Sequence, residues 1–446
     1  MRNAVVPVGA VVLGALILSW PAVYNGCPLI YTDTGTYMES AFTLHVPADR
    51  PIGYSLFIRL AGAGRSLWPV VFCQSLILAF LLQRLLRRVA PRCEIRGFVL
   101  SCALLAALTG LPWVMGTVFA DAFTPAFLLS LLLLLLPGGC VAETAACAAI
   151  FVLANSTHAT HLLVSTLILA ALGGVRLAFR SSPCRYGLAV LLLAVSWLSV
   201  PALNVALGGG FHISHAGNVI VMGRMWENGI LNRFLDEHCA EKKYALCEYR
   251  GEVRGHSGYF LWNPQSPLYR TGGWQAPHDE YGRIIRESLA DYPLMWIEES
   301  ARSTLSQLGA FDAGGAGAPL STRTWAYRVM ERRFPEEFPR FLSSRQQRCA
   351  LHLRFFRLVQ YAAVLVSLGL ITGGMVFGRP AADRLFRFIL CFAAMAIVAN
   401  AAVCASISAS DDRYGARVIW LIPLCCLLMY AGGGEKGGRQ ADRDMP

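Results

Sequence analysis

The sequence predicts an all-α integral membrane protein, a bundle of about ten transmembrane helices with one large polar domain of mixed secondary structure. Only 15% of the 446 residues are charged and 55% are hydrophobic, whereas soluble domains carry about 25% charged residues. Several apolar stretches reach the roughly 20 residues that a helix needs to cross a hydrocarbon core about 30 Å thick. Because that core offers no water to backbone polar groups, helices rather than barrel strands are expected to span it.

Ten spans can be drawn along the chain. The first is predicted to be a retained helix rather than a signal peptide, because no small-x-small cleavage site precedes the polar sequence. The spans cover approximately residues 4–24, 66–86, 97–116, 122–137, 142–156, 159–175, 186–207, 356–377, 386–407 and 415–432.

Arginine and lysine gather in alternate connections, at residues 84–96, 176–185, 379–387 and 436–443. An excess of these residues marks the cytoplasmic side of a membrane, so both termini are predicted to be cytoplasmic. The net charge of +11 therefore indicates topology rather than nucleic-acid binding, because the cations stand at the ends of apolar runs.

Two connections on the opposite, external side are too long to be turns. One is residues 24–66, called the first loop below, and the other is residues 208–354, which are long enough for a small domain. The chain thus divides into an N-terminal transmembrane module (1–207), that external domain, C-terminal transmembrane helices (355–432) and a tail (433–446) predicted to be disordered and cytoplasmic.

The polar domain contains two cysteines, Cys239 and Cys247, at a spacing that closes a small loop. In an oxidising compartment this spacing predicts a disulfide, with two free thiols as the alternative.

The first loop carries the most informative polar residues. Asp33 follows the first predicted span directly, where partial desolvation makes a carboxylate a stronger base near neutral pH. The alternative is that Asp33 or Thr34 caps a short interfacial helix that runs to Phe42.

Other polar residues lie at the predicted external ends of later spans. Asp121 is either functional or an N-cap of the fourth span, since polar groups this close to lipid tend to be functional or paired. Arg413 and Arg417 open the last span, and a guanidinium suits a phosphate in bidentate geometry. For Arg417 the alternative is an ion pair with Asp121, Asp411 or Asp412.

Two histidines, His158 and His161, lie one helical turn apart between the fifth and sixth spans. A zinc site would need further ligands, and a hydrogen-bonded turn is the alternative. The sequence contains no Gly-Lys-Ser/Thr phosphate loop, no His-Glu-x-x-His and no Gly-x-Ser-x-Gly. These absences argue against ATP-driven transport and against hydrolases of those classes.

In these motifs the chain resembles the GT-C superfamily of integral membrane glycosyltransferases, such as the protein mannosyltransferases and aminoarabinose transferases. Asp33 occupies the place of that family's catalytic loop carboxylate. The segment Asp49-Arg50-Pro51-Ile52-Gly53-Tyr54 looks like the Arg-Pro-Pro-Gly-Tyr segment found downstream of it, although Pro51 stands alone. Asp121 is similar to the acidic residue between the family's third and fourth spans.

The resemblance implies sugar transfer from a polyprenyl-phosphate donor to an envelope acceptor (a lipid, glycan or protein) on the periplasmic face of a bacterial inner membrane. A divalent cation serves some relatives, although no ligand set for one can be named here. The resemblance implies that Asp33 is the base and that Asp121 is a second catalytic carboxylate, which positions the acceptor or an arginine. It implies phosphate binding by Arg50, Arg413 and Arg417. Further substrate contacts would come from Tyr37, Tyr54 and His161.

Two other functions compete with the glycosyltransferase. A transporter or lipid flippase would use the same polar residues to line a path, and would place them at mid-bilayer rather than at one face. A non-catalytic assembly protein of the envelope would tolerate alanine at Asp33.

Overall fold

The computed structural model describes residues 8–91, 94–179, 185–252, 255–276, 279–312, 317–377 and 384–432. Within these ranges the chain is helical, and its extended segments meet in one isolated parallel bridge, between Leu29 and Thr117. The tail predicted for residues 433–446 lies outside the described residues.

In the described residues of the first half of the chain there are eleven α-helices and one 3-10 helix. They are α1 Val8–Leu18, α2 Trp20–Asn25, α3 Thr34–Thr43, α4 Gly53–Gly62, α5 Trp68–Val89, α6 Ile95–Leu108, α7 Leu111–Met115, the 3-10 turn Ala120–Phe123, α8 Thr124–Leu135, α9 Val141–Thr157, α10 Ala159–Phe179 and α11 Tyr186–Ala206.

The second half begins with shorter helices and ends with long apolar ones. They are α12 Gly217–Glu227, α13 Ile230–His238, the 3-10 turn Ala245–Glu252, α14 Ser257–Trp262, α15 Pro267–Arg270, the 3-10 turn Gly273–Gln275, α16 Asp279–Asp291, α17 Pro293–Gly309, α18 Trp325–Arg333, α19 Phe338–Leu342, α20 Leu353–Val376, α21 Arg384–Ile407, α22 Asp412–Ile419 and α23 Leu421–Gly432.

Each predicted span coincides with helix, and three of them are broken. The first breaks between α1 and α2 ahead of Pro21, the third between α6 and α7 ahead of Pro112, and the last between α22 and α23 at Trp420. Within the described residues, five helical segments are long and apolar enough to cross a membrane, namely α5, α11, α20, α21 and the stretch Asp412–Ala431 that contains α22 and most of α23, and five shorter apolar helices accompany them. This composition indicates a membrane protein.

The mixed secondary structure predicted for residues 208–354 is wrong, because the described part of this region is helical. Its apolar residues follow the helical period of 3.6 rather than the alternation of a strand. Helix α13 shows this well, since its buried residues Ile230, Leu231, Phe234 and Leu235 lie on one face.

Most buried apolar residues of 208–354 belong to one of two hydrophobic cores, and Leu351 belongs to a third, smaller one. Helices α12 to α16 bury their apolar side chains against one another, around Trp226 and Phe260. Helices α18 and α19 instead join the core of the main bundle, through residues such as Val329 and Phe341. The C-terminal part of the predicted polar domain is therefore packed as part of the bundle.

The α18–α19 region holds the first loop in place. Arg332 and Arg333 bind the two carboxylate oxygens of Glu39 at 2.6 and 2.8 Å. Gly35 lies so close to α18 that a Cβ at this position would be 2.6 Å from the backbone nitrogen of Ala326. A glycine is thus required where α3 meets α18.

Two buried polar side chains fasten the same region to the start of the bundle. The Glu337 carboxylate accepts hydrogen bonds from the Ser66 hydroxyl at 2.6 Å and from the backbone N–H of Leu67, and so satisfies donors at the N-terminus of α5. The Gln346 amide donates to the Ile30 carbonyl at 2.7 Å and accepts from the Ile30 N–H at 3.2 Å.

Cys239 and Cys247 form a disulfide in the structure. The disulfide closes a short loop after α13. Both cysteines pack against the hydrophobic core formed by α12 to α16.

We expect Glu337→Ala to destabilise the protein by about 1–3 kcal/mol, because it leaves the buried Leu67 N–H and the half-buried Ser66 hydroxyl without their acceptor. The measurement is the melting temperature of the purified protein in detergent. Glu336→Ala is the matched control, since Glu336 is the exposed neighbouring carboxylate. Equal melting temperatures for the two variants would contradict this role of Glu337.

Candidate active site

The first loop lies beside the irregular segment that joins α7 to α8. The Leu29 N–H donates to the Gly116 carbonyl at 2.9 Å, and the Val118 N–H donates to the Leu29 carbonyl at the same distance. The Thr34 hydroxyl then donates to the Val118 carbonyl at 2.7 Å. These bonds bring the residues before Asp33 alongside those before Asp121, although the two segments are almost 90 positions apart.

Gln74, in the second turn of α5, holds this junction in place. Its buried amide donates to the carbonyls of Met115 and Thr117 at 2.6 and 2.9 Å, and its oxygen accepts from the Tyr54 hydroxyl at 3.0 Å. Tyr54 therefore has a structural hydrogen bond, and it is fully buried. The sequence offered no signal for Gln74, because a single amide within an apolar run is also common in ordinary bundle interiors.

Asp33 occupies the N-cap position of α3, but its side chain makes no capping hydrogen bond. Its carboxylate instead lies 3.4 Å from Arg50, and 26% of the side chain is exposed. Arg50 is held more closely by its neighbour Asp49, at 2.5 Å, and it donates to the Asp33 carbonyl at 3.2 Å. Of Asp33 and Asp49, Asp33 is thus the carboxylate that is less tightly paired with Arg50 and more accessible to a ligand.

Arg50 also stacks on the ring of Tyr37, with its guanidinium carbon 5.0 Å from the ring centre. Burial opposes the charge of Arg50, but the carboxylates of Asp49 and Asp33 outweigh burial and raise the pKa of Arg50. Burial raises the pKa of Tyr37, with Arg50 acting in the opposite direction and Asp49, Asp121 and Asp33 acting with it. Tyr37 therefore lies within electrostatic reach of both predicted catalytic carboxylates.

The Gly53 of the same segment allows α4 to lie against the end of α9. A Cβ at Gly53 would collide with the Ser156 carbonyl. This close approach sets the Arg50-containing segment next to the turn that carries His158.

Asp121 and Arg417 form a fully buried ion pair. The Arg417 Nη1 donates to Asp121 Oδ1 at 2.5 Å, and the exposed fractions of the two side chains are 0% and 5%. The remaining nitrogens of Arg417 donate to the Asn400 oxygen at 3.1 and 3.0 Å and to the Thr160 hydroxyl at 3.2 Å. Among the partners considered for Arg417, the structure thus selects Asp121.

Arg413 lies one helical turn before Arg417 and so faces the same side of α22. Its guanidinium is surrounded by the rings of Tyr31, Phe119 and Tyr414, at 4.7, 4.7 and 4.8 Å. Nε lies 3.5 Å from Asp121 Oδ2. Within the described residues, however, Nε and Nη1 of Arg413 and Oδ2 of Asp121 are buried without a hydrogen-bond partner.

A small cavity lies beside these atoms. It measures about 20 Å³, enough for one water-sized group. Its lining is mostly apolar and includes both charged groups: Tyr31, Trp113, Val114, Thr117, Phe119, Asp121, Arg413 and Ala416. A buried polar atom without a partner is rare in proteins, so the cavity is suited to an oxygen that accepts from Arg413.

Tyr31 connects the first loop, which carries it and Asp33, with the group of charges formed by Asp121, Arg413 and Arg417. Its ring packs at a tilt against Phe119, with the ring centres 5.3 Å apart, and the Arg413 guanidinium lies over it; Asp33 follows Tyr31 by two residues. Burial raises the pKa of Tyr31 to about 12, Arg413 lowers it, and Asp411 and Asp33 raise it further. Asp33 and Arg413 therefore both lie within electrostatic reach of the Tyr31 phenol.

Of the two histidines, His158 approaches the site and His161 does not. His158 Nδ1 accepts from the Thr160 N–H at 3.2 Å, which leaves the proton on Nε2, 3.9 Å from Asp121 Oδ1. Burial and the charge of Arg417 lower the pKa of His158 well below its usual value, against the effect of Asp121. The imidazole is therefore neutral and does not form an ion pair with Asp121, despite the short distance.

His161 is fully buried with both ring nitrogens occupied. Nδ1 donates to the Ala154 carbonyl at 2.8 Å, and Nε2 accepts from the Thr124 hydroxyl at 2.8 Å. It therefore supports the turn between α9 and α10. Tyr37 and Tyr54 are also buried, at the back of the site, so neither lines an open sugar pocket.

The charges of the site pair unequally. Arg417 with Asp121 and Arg50 with Asp49 are the two tight pairs, both at 2.5 Å. Asp33 and Arg413 are left with only long charge contacts, 3.4 Å to Arg50 and 3.5 Å to Asp121. The site thus presents one partly exposed carboxylate and one cation with unused donors.

The donor set for a divalent cation is poor. Within the described ranges, no three histidine, cysteine, aspartate or glutamate side chains lie close enough together to hold a metal ion. Asp33 and Asp49 are both near Arg50, which occupies the position that a cation would take between them.

Comparisons of the chain with family models, with curated proteins and with solved structures give no match. The resemblance to GT-C enzymes therefore rests on the sequence motifs alone.

We expect Asp121→Ala to destabilise the protein by about 3–5 kcal/mol, because it leaves Arg417 buried without its carboxylate. Asp33→Ala is the matched control and should change stability by less than about 1 kcal/mol, because that carboxylate is partly solvated. Thermal unfolding in detergent measures both.

The double variant Asp121→Ala/Arg417→Met distinguishes the cost of an unpaired buried charge from the cost of lost side-chain packing. It should recover part of the stability lost in Asp121→Ala, because the charge of Arg417 is removed together with its carboxylate, while Arg413 still loses its contact with Asp121. A melting temperature of Asp121→Ala equal to that of Asp33→Ala would contradict the structural role of the ion pair.

Proposed function

We propose that this chain is a membrane glycosyltransferase that transfers a sugar from a polyprenyl-phosphate donor to an envelope acceptor. The observation that carries the proposal is the pair of under-used charges, Asp33 and Arg413, which both act electrostatically on Tyr31. Such transfer needs a carboxylate to receive the acceptor's proton and a cation to stabilise the departing phosphate.

The reaction is a single displacement at the anomeric carbon. The acceptor hydroxyl forms the new bond to that carbon while its proton passes to a carboxylate oxygen of Asp33. The bond from the anomeric carbon to the phosphate oxygen breaks, and the electron pair leaves on the polyprenyl phosphate. A base opposite the leaving group implies inversion at the anomeric carbon.

Arg413 is the natural partner of the leaving phosphate. Its Nε and Nη1 hydrogens are buried and unused within the described residues, and the adjoining cavity admits one oxygen rather than a whole phosphate. The phosphate would then lie at the mouth of the cavity, with one oxygen on Arg413. Bonds from a preorganised donor in a dry site strengthen as charge develops, which favours the transition state.

The other charged groups hold these two in position. Arg417 is fully enclosed by Asp121, Asn400 and Thr160, so we assign it to positioning Asp121 rather than to contact with substrate. Asp121 in turn lies beside Arg413, and Arg50 orients Asp33. In this assignment Tyr37 forms the floor of the site.

The proposal includes the membrane placement. Ten helices cross a bacterial inner membrane with both termini cytoplasmic, and the first loop and residues 208–354 lie on the periplasmic side. The prenyl chain would remain in the bilayer while the phosphate reaches Arg413 at the interface.

We expect Asp33→Asn to reduce sugar transfer by at least about 100-fold with an unchanged melting temperature, because the amide cannot accept the proton. Membranes that contain the full chain are incubated with a panel of polyprenyl-phosphate hexoses and pentoses. The release of polyprenyl phosphate is measured, since this product is common to every acceptor.

Asp236→Asn is the matched control, because Asp236 is an exposed carboxylate of α13 outside the site. Full activity of Asp33→Asn would overturn the assignment of the base. Movement of the lipid-linked sugar across the membrane without release of polyprenyl phosphate would favour the transporter instead.

We expect Arg413→Met to lower kcat by about 100-fold or more, with a smaller effect on KM for the donor. The phosphate gains charge only as its bond to the sugar breaks, so the cation acts mainly in the transition state. Arg413→Lys should retain part of the activity. Arg323→Ala removes an exposed arginine elsewhere and controls for net charge. A KM increase at constant kcat would show that Arg413 serves binding alone.

A further inference from the structure

A second, larger cavity lies away from the carboxylates of the proposed site, where α20 begins. It measures about 520 Å³, and we call it the α20 groove. Its lining comes from two segments of the chain: Gly317, Pro319, Cys349, Leu351, His352, Leu353, Arg354 and Phe355.

The α20 groove is electropositive. Its lining contains Arg354 and His352 and no carboxylate. Within the described residues neither side chain has an ion-pair or hydrogen-bond partner, whereas the nearby Arg357 binds Asp312 at 3.2 Å. An exposed arginine that is left without a carboxylate remains available to an anion from outside the chain.

The surrounding sequence strengthens this field. Residues 340–357 contain five arginines and no aspartate or glutamate. In the proposed topology they precede a membrane helix on its external side, where arginine is normally scarce. Basic residues clustered beside a membrane helix attract anionic lipid headgroups.

The face of α20 that continues from the groove is apolar and exposed. The exposed fractions of Phe355, Leu358 and Leu365 are 63%, 70% and 68%, and α20 is among the helices long and apolar enough to cross a membrane. Beside it, the rings of Trp20, Tyr24, Trp113 and Phe356 form a cluster with centroids 5.0 to 6.4 Å apart. Such aromatic groups are typical of the membrane interface.

We propose that the α20 groove binds an anionic phospholipid of the bilayer, with its headgroup phosphate on Arg354 and His352 and its acyl chains along Phe355, Leu358 and Leu365. The cationic groove would bind the phosphate of the lipid, and the exposed apolar stripe next to it would bind the acyl chains. The proposed glycosyl transfer does not require this site, because the groove contains no carboxylate that could act as a base.

The test is native mass spectrometry of the full-length protein in detergent, titrated separately with phosphatidylglycerol, phosphatidylcholine and polyprenyl phosphate. We expect phosphatidylglycerol to bind most tightly. Removal of one interfacial arginine should weaken its binding about fivefold, so Arg354→Ala should raise the Kd by that factor and Arg354→Ala/His352→Ala by more. Arg323→Ala removes the same charge outside the groove and should leave the Kd unchanged.

A second measurement locates the lipid. Cys349 lines the groove and is an exposed thiol. Cys140 and Cys391 are also exposed, and Cys93 and Cys184 lie outside the described residues, so these four cysteines are replaced by serine. Phosphatidylglycerol should slow maleimide labelling of Cys349 several-fold, and phosphatidylcholine should slow it less.

Equal Kd values for phosphatidylglycerol and phosphatidylcholine, or equal effects of Arg354→Ala and Arg323→Ala, would overturn the inference. Tighter binding of polyprenyl phosphate than of phosphatidylglycerol would also overturn it, because the groove would then belong to the donor. None of these outcomes depends on catalytic activity, so a failure here is distinguishable from a failure of the Asp33 assignment.

Discussion

The buried ion pair of Arg417 with Asp121 is the interaction on which the arrangement of the site depends. The two residues are 296 positions apart, and the same guanidinium also binds Asn400 of α21 and Thr160 of α10. A buried charge without its partner is strongly destabilising. The helices that supply these groups are therefore compatible with one another in only one arrangement, and this arrangement sets the positions of Arg413 and Tyr31.

The sequence was informative where a charge stood against an apolar background. Asp33, Asp121, Arg413 and Arg417 could be recognised in this way, because a charged residue at the end of an apolar run needs a partner or a function. The partner of Arg417 could not be chosen from the sequence. In the structure Asp411 caps α22 by accepting from the Arg413 N–H, and Asp412 accepts from the Asp312 N–H, which leaves Asp121.

Other residues gave no such signal. Gln74, Asn400 and Glu337 each make several buried hydrogen bonds, yet an amide or a carboxylate in a helical sequence does not reveal which distant backbone group it will meet. The choice between His158 and His161 depends on which ring nitrogens the neighbouring turn occupies. Helix positions were predicted well from hydropathy, whereas the breaks within spans and the helical nature of residues 208–354 were not, although Pro21, Pro112 and the helical period of α13 were local signals for them.

The broken spans explain why the site lies where it does. Non-helical backbone near lipid is tolerated only when its polar groups are bonded within the protein. The segment between α7 and α8 meets this requirement through Leu29 of the first loop and the amide of Gln74. Each irregular segment thus supplies the hydrogen bonds that the other lacks, and they can only be stable side by side. Asp33 and Asp121 each follow one of these segments closely. The backbone pairing that permits the breaks therefore also brings together the two segments that lead to these carboxylates.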